Sequence, residues 1–392
     1  MKIFEILIPP FLITIFGFLS ILYAADFHVS TSFQLSEKLL VAEDSGEDDT
    51  IFLAPGVYVG NFKYSPTSEK SLTIKPEPGL KTGDVIFDGK RKDRVFYFSS
   101  AFASNLQLEG ITFQNGYNYS NGYASVNGGG IYCSTLGSFI LLNSIIVNNE
   151  VRSTSPNGGG ISIEARNTIS LINNIIINNK SCDTSSSSSS NYDAKGGGVY
   201  IDIQKETTII NVCNNIIYSN SAPNGYGDNI YLSGSSTIER FYHNNSQDSG
   251  SDFHSTVGNI NSPPQFIDEE NGNYRLKPTS PCIDAGTNEI IGLPVTDKDG
   301  NLRTVNNITD IGAYEYSPQV IHPADTNKDW KIERYEFEAY DNAWKNGAQW
   351  PGGPNPIPVS YVTRAGYIYI KGGAYHNAGG AEPSCWVLDK IE

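Results

Sequence analysis

Gly128-Gly129-Gly130-Ile131-Tyr132-Cys133 returns as Gly158-Gly159-Gly160-Ile161-Ser162-Ile163, then as Gly196-Gly197-Gly198-Val199-Tyr200-Ile201, and in weakened form as Gly227-Asp228-Asn229-Ile230-Tyr231-Leu232. Each copy is a glycine turn running into a strand. A second phrase follows each turn: Ile145-Ile146-Val147-Asn148-Asn149, Ile175-Ile176-Ile177-Asn178-Asn179, Ile216-Ile217-Tyr218-Ser219-Asn220 and Phe241-Tyr242-His243-Asn244-Asn245. Upstream, Ile111-Thr112-Phe113-Gln114-Asn115 fits the same frame, so that five rungs end on asparagine.

A motif recurring at a period of tens of residues, with β-branched strands and Gly or Asn at the corners, is the signature of stacked coils. The expected fold is all-β, a parallel β-helix solenoid. Alternation points Ile131, Ile161, Val199 and Ile230 inward, with Cys133, Ile163, Ile201 and Leu232 two residues on. At a rung spacing of about 4.8 Å, Asn115, Asn149, Asn179, Asn220 and Asn245 are expected to form a ladder of side-chain amides. The same frame puts His243 level with the inward Phe113, Val147, Ile177 and Tyr218, a structural place. The glycines and asparagines are thereby architectural rather than a phosphate loop or a catalytic amide.

The chain of 392 residues is long enough for one large elongated domain and a smaller one, and its formal net charge of -15 argues against nucleic acid and anionic membrane surfaces as partners. Cys133, Cys182, Cys213, Cys282 and Cys385 show no C-x-x-C or metal-finger spacing. Residues 1–25 read as a signal peptide: Lys2, an apolar run from Ile6 to Leu22, then Tyr23-Ala24-Ala25 for cleavage. The alternative is an uncleaved anchor; once the segment is removed no membrane span is expected. The implied location is secreted or cell-surface.

Residues 26–320 are assigned to the solenoid. Leu35, Leu39 and Leu40 at helical spacing in Ser32 to Gly46 predict a short helix capping its open end. Short strands follow at Thr50 to Leu53, Leu72 to Lys75, Val85 to Asp88 and Val95 to Phe98. The serine tract Ser185 to Ser190 reads as a flexible insertion. From Pro263 the repeat stops; Pro264 to Asp268, Tyr274 to Leu276, Ser280 to Gly286 and Asp310 to Tyr316 are expected as short strands closing the other end.

Asp84-Val85-Ile86-Phe87-Asp88-Gly89, Leu108 to Gly116, the Gly-Gly-Gly turns, Ser280 to Gly286, Asp299-Gly300-Asn301-Leu302-Arg303 and Asp310 to Glu315 together resemble the choice-of-anchor Q family over most of Asp26 to Tyr316. The resemblance implies a right-handed, pectate-lyase-like parallel β-helix, export, and a C-terminal attachment module. It does not imply lyase activity, since a fold does not define a function.

Residues 321–349 carry Asp325-Thr326-Asn327-Lys328-Asp329-Trp330-Lys331-Ile332-Glu333-Arg334-Tyr335-Glu336, which fits the twelve-residue calcium loop of an EF-hand or dockerin. Asp325, Asn327 and Asp329 supply side-chain oxygens, Lys331 a backbone carbonyl and Glu336 the bidentate carboxylate expected to hold Ca2+. Trp330 departs from the pattern, which asks for a glycine there, and the single loop makes the likeness to dockerins partial. Phe337, Tyr340 and Trp344 mark one face of a following helix that Gly347 stops. After a Pro-Gly linker, residues 350–392 read as a small Gly- and aromatic-rich β module, for attachment to a surface partner or for glycan contact.

Register places Ser134, Glu164, Asp202 and Ser233 in one outward stack. Glu164 and Asp202 are the catalytic candidates, carboxylates on adjacent coils near enough to perturb each other, with Arg166 and Lys205 nearby to relieve their repulsion. The expected function is that of an exported cell-surface protein that binds calcium and serves in adhesion or in binding an extracellular polysaccharide or surface glycan. The alternatives are a polysaccharide lyase or glycoside hydrolase acting on acidic polysaccharide through Glu164 and Asp202, and a structural scaffold subunit.

Overall fold

A computed structural model describes residues 24–388 apart from 79–84, 121–125, 185–192, 224, 237, 249–252, 254, 305–306, 317–320, 328, 330, 352, 378–382 and 384. The segment expected to target the chain, except Ala24 and Ala25, therefore lies outside the described residues, as do the serine tract and Trp330. Three long sheets dominate. The first has nine strands, from Asp26–Val29 to Ser255–Val257; the second has six, from Phe62–Tyr64 to Ile230–Ser233; the third has seven, from Gly56–Val59 to Asn245–Ser246. Each coil contributes one strand to each sheet, and neighbours pair in parallel, as Ile131 with Ile161, Ile161 with Val199 and Val199 with Ile230. The molecule is an all-β parallel solenoid. Ile131, Ile161, Val199, Cys133, Ile163 and Ile201 are fully buried along its axis.

The glycine triplets make room at a corner. Gly128, Gly158 and Gly196 take φ of 66°, 69° and 60°, left-handed geometry that glycine adopts without strain. A Cβ on Gly130, Gly160 or Gly198 would fall 2.8–3.1 Å from the amide of Asn149, Asn179 or Asn220. Those asparagines form a ladder: Asn149 Nδ2 donates to Asn179 Oδ1 at 3.0 Å, Asn179 to Asn220 at 2.9 Å, and Asn220 to Asn229 at 3.0 Å. Asn229 stands where the earlier coils have their third glycine and supplies the last amide.

Two members expected in that ladder are elsewhere. Gln114 pairs with Val147, so Asn115 is level with Asn148, and its Nδ2 donates to Asp88 Oδ1. Asn245 pairs with Ile216, not Asn220. A second buried ladder runs through Asn174, Asn215, Asn244 and Asn259, with Asn174 donating to Asn215 and Asn215 to Asn244 at 3.0 Å each. Each coil turns two asparagine corners, and the last written phrase belongs to the other one. Phe241 pairs with Val212 on the first sheet, which puts His243 level with Asn214 in left-handed geometry, φ 51° and 56°. His243 is thus a corner residue and not an inward one.

Between the corners the third sheet is only three residues wide in the repeats. Ile146, Ile176 and Ile217 point into the axial core, while Ile145, Val147, Ile175, Ile177 and Ile216 belong to a second core outside it. Phe266, Tyr274, Leu276, Cys282, Ile311, Ala313 and Tyr314 cover them. The segment expected to close the solenoid's end lies along its flank instead, because the flank is where apolar side chains stand bare. Among its described residues only Phe266–Asp268 and Asn273–Leu276 are named strands, paired antiparallel; Ser280 to Gly286 is turn and Asp310 to Tyr316 is bend and irregular chain. At the last coil, Phe253 stacks on Phe241 with ring centroids 4.7 Å apart.

At the opposite end the helix Ser32–Asp44 is capped by Thr31, whose Oγ1 accepts from Gln34 N, and it buries Leu35, Leu39 and Ala42 against the axial core. Beyond the solenoid, the helix Arg334–Lys345 follows the predicted calcium loop. A second helix, Val359–Ile370, occupies the start of the segment expected as β, followed by a hairpin of Tyr375–Asn377 and Trp386–Leu388. Ala324, Ile332 and Tyr340 share one core with Ile357, Val362, Ile368, Tyr375 and Trp386, across the boundary at 349/350. Among the described residues no helix is long and apolar enough to cross a membrane.

Candidate functional site

The outer face of the second sheet brings Glu164 and Asp202 into the expected stack. Ser134 is level with Glu164, Ile163 with Ile201, and Asp202 with Ser233, so the two carboxylates occupy the same place on adjacent coils. Both are half-buried. Burial first, and then Asp202, raises the Glu164 carboxyl above its ordinary range, while hydroxyls of Ser134 and Tyr132 oppose the shift. Tyr132 Oη sits 3.5 Å from each Glu164 oxygen. Burial and the Glu164 charge push Tyr132 up to about 12, which keeps it a neutral donor. Arg166 and Lys205 are exposed. Asp202 accepts from Gln204 Nε2 at 2.7 Å.

Beside the carboxylates runs a row that the reading of the sequence passed over. Tyr97, Tyr132, Ser162, Tyr200 and Tyr231 are level with one another, one per coil. Tyr97 stacks on Tyr132 at 5.4 Å and Tyr200 on Tyr231 at 6.0 Å. Ser162 interrupts the row, fully buried, with no hydrogen-bond partner for its Oγ among the described residues. The Arg94 guanidinium lies over Tyr97 and Tyr132 and donates to the Gly128 and Asn127 carbonyls. The signal was present in the residue after each Gly-Gly-Gly-Ile or Gly-Gly-Gly-Val, which alternation sends outward. Chemically, the face offers a carboxyl that holds its proton to higher pH, a second carboxyl one coil away, and phenolic donors along both.

The predicted calcium loop has the turns a cation loop needs. Asp329 N donates to Asp325 Oδ1 at 3.3 Å and to Asn327 Oδ1 at 3.1 Å, and Lys331 N donates to Asp329 Oδ1 at 3.0 Å. Tyr375 Oη donates to Asp325 Oδ2, and Ile332 N to Gly373 O, so the hairpin region backs the loop. Glu336 is buried and acts as a clasp. Its Oε1 accepts from Thr326 N, Thr326 Oγ1 and Asn327 N, and its Oε2 from Glu333 N in a capping box. Among the described residues no three His, Cys, Asp or Glu side chains converge as a metal-holding group. The donor set fits a Ca2+ loop in its turns and not in its closure, because Glu336 is turned to amides.

No known family model matches the chain, and no curated protein matches it.

Proposed function

We propose that this protein is an exported solenoid of the choice-of-anchor kind, a right-handed parallel β-helix that holds an extracellular glycan along its flank at a cell surface. One observation carries the reading: outward positions repeat once per coil, so a polymer with a comparable repeat meets the same chemistry several times. The row of Tyr97, Tyr132, Tyr200 and Tyr231 beside Glu164 and Asp202 is its clearest instance. The C-terminal unit is read as an EF-hand- or dockerin-like attachment module whose Asp325, Asn327, Asp329 and Lys331 would hold Ca2+, with Glu336 completing the set on turning away from the Thr326, Asn327 and Glu333 donors; the loop spacing and its amide-to-carboxylate turns support the reading. Binding of the purified protein to a panel of neutral and acidic polysaccharides, with calcium and with chelator, tests the reading. Retention of no member of the panel would sink it.

An enzymatic reading has one specific support, the raised Glu164 carboxyl next to Asp202. In hydrolysis, Glu164 would protonate the leaving glycosidic oxygen while the Asp202 carboxylate takes a proton from the water that attacks the anomeric carbon. Following unsaturated products and reducing ends on pectins and alginates tests this reading. Equal product release by the parent and by Glu164→Gln would remove Glu164 from any catalytic role.

A further inference from the structure

The two corners of each coil carry outward rows of left-handed residues, and one row holds the protein's own chain. On the corner between the first and third sheets, Asn143 Nδ2 donates to Thr296 O at 2.7 Å, Asn173 Nδ2 to Asp310 O at 3.1 Å and Asn214 Nδ2 to Thr287 O at 2.9 Å. His243 Nδ1 contacts Ala285 O at 2.9 Å. Four backbone carbonyls of the flank chain, from separate turns, are thus held at successive coils by side chains at matching places.

The other corner repeats the row of left-handed residues, but there Asn115 Nδ2 donates to Asp88 Oδ1 and Asn178 Nδ2 to Glu269 Oε1 rather than to backbone carbonyls. Asn115, Asn148, Asn178 and Ser219, φ 54–56°, line a groove of about 1,030 Å³. Its opposite wall is the hairpin formed by Phe266–Asp268 and Asn273–Leu276, with Asp268, Glu269 and Glu270 at the tip. Asn178 Nδ2 donates to Glu269 Oε1 at 2.9 Å and holds that wall in place. Asn148, Asn178, Ser219, Asp268 and Glu270 are exposed. The four corner residues span three rung spacings, roughly 14 Å.

We infer that this groove binds a neutral, extended oligosaccharide lying along the solenoid axis, about one sugar ring to a coil. The inference rests on the glycan-binding reading above and names the flank and the class of ligand. Asparagine amides donate and accept, and carboxylates accept, so facing walls of the two match hydroxyl-bearing rings on both edges. Tyr218 and Ile267, also in the lining, give the C–H face of a ring an apolar contact. The rung spacing is close to the advance of one residue in an extended β-linked chain. Three carboxylates against Lys277 in the same lining make the groove repel a polyuronate.

The test is calorimetric titration of the full chain with cellohexaose, mannohexaose and hexagalacturonate. One variant is Asn148→Asp, which keeps a residue tolerant of left-handed backbone and replaces a donor with a charge. A second variant is the pair Asp268→Lys with Glu270→Lys, at exposed hairpin positions. The expected result is binding of a neutral hexasaccharide, weakened at least 10-fold by Asn148→Asp at an unchanged thermal midpoint, and a shift toward hexagalacturonate in the lysine pair. Tighter binding of hexagalacturonate by the parent overturns the neutral class. Loss of binding in Tyr132→Ala with none in Asn148→Asp overturns the groove and leaves the glycan reading standing on the second sheet. Silence with all three saccharides overturns both.

Discussion

Arg303 and Glu315 form an ion pair at 2.9 Å in which both side chains are 1% exposed. The guanidinium also donates to the carbonyls of Gly312 and Ala313 and to Asn143 Oδ1 on the solenoid corner. Glu315 in turn accepts from Asp310 N, and Asp297 accepts from Glu315 N. The residues that carry the family resemblance from Asp299 to Arg303 and from Asp310 to Glu315 are therefore the rivet between the flank segment and the coils.

Removing the arginine takes the cation from a buried carboxylate and the guanidinium donor from Asn143 Oδ1, while the Gly312 and Ala313 carbonyls keep Asn173 Nδ2 and Lys298 N. Arg303→Ala is expected to lower unfolding stability by about 3–5 kcal/mol. A urea titration in which the midpoint moves by an amount typical of a surface substitution would show that the flank is held by apolar contact alone.

The same rivet makes stability depend on pH. Burial, with a smaller contribution from Asp284, raises Asp310 from 3.8 to about 6, against the opposing amides of Asp284 and Tyr316. Folding thus favours its protonated form. That contribution is whole below about pH 4 and is lost as pH rises through about 6, a change of about 3 kcal/mol at 1.36 kcal/mol per unit. Glu315 is shifted in the same direction by burial. Denaturant curves at pH 4, 5, 6 and 7 should show falling stability, with a shallower fall in Asp310→Asn; parallel profiles for the two proteins would refute the assignment.

The two kinds of corner asparagine should respond to substitution by very different amounts. Asn179 is buried, donates to Ile146 O and Asn220 Oδ1, and accepts from Asn149. Asn179→Ala strands these partners and is expected to cost about 2–4 kcal/mol. Its exposed neighbour Asn178 has φ 56°, where glycine is at ease, so Asn178→Gly should change stability by less than about 1 kcal/mol. Equal losses for the pair would dissolve the distinction between ladder and corner.

In the C-terminal unit, Asp325→Ala combined with Glu336→Ala should abolish any heat of Ca2+ binding. Glu336→Ala alone should also lower the unit's melting temperature in chelator, since it strands four donors that the Glu336 carboxyl accepts. Unchanged calcium heats in the double variant would remove the loop as a metal site. A melting temperature insensitive to Glu336→Ala in chelator would mean that the clasp contributes nothing.

The repeat and its faces were legible in the chain because a coil's inward positions alternate with period two and recur at each glycine turn. Ile131, Ile161, Val199 and Ile230 could be stacked by inspection, and so could Glu164 with Asp202. Register at the corners was not. Asn149, Asn174 and Asn245 look alike in one dimension, and a ladder member differs from a corner residue only by a left-handed φ one position earlier. The glycine triplets held the missing clue, since their third member is the space an asparagine amide fills.

What the sequence alone determined is local and periodic: parallel coils, an inward apolar stack, a capping helix and a loop with calcium spacing. Tertiary structure decided everything that depends on which surface remains bare after the coils stack. The third sheet is too narrow to hide Ile145, Val147, Ile175 and Ile177 inside, so the chain from Phe266 to Tyr314 covers them, and its hairpin raises a wall opposite Asn148 and Asn178. That groove joins residues about a hundred positions apart. No periodicity announces it, because burial of a flank is a property of the folded surface and not of any one repeat.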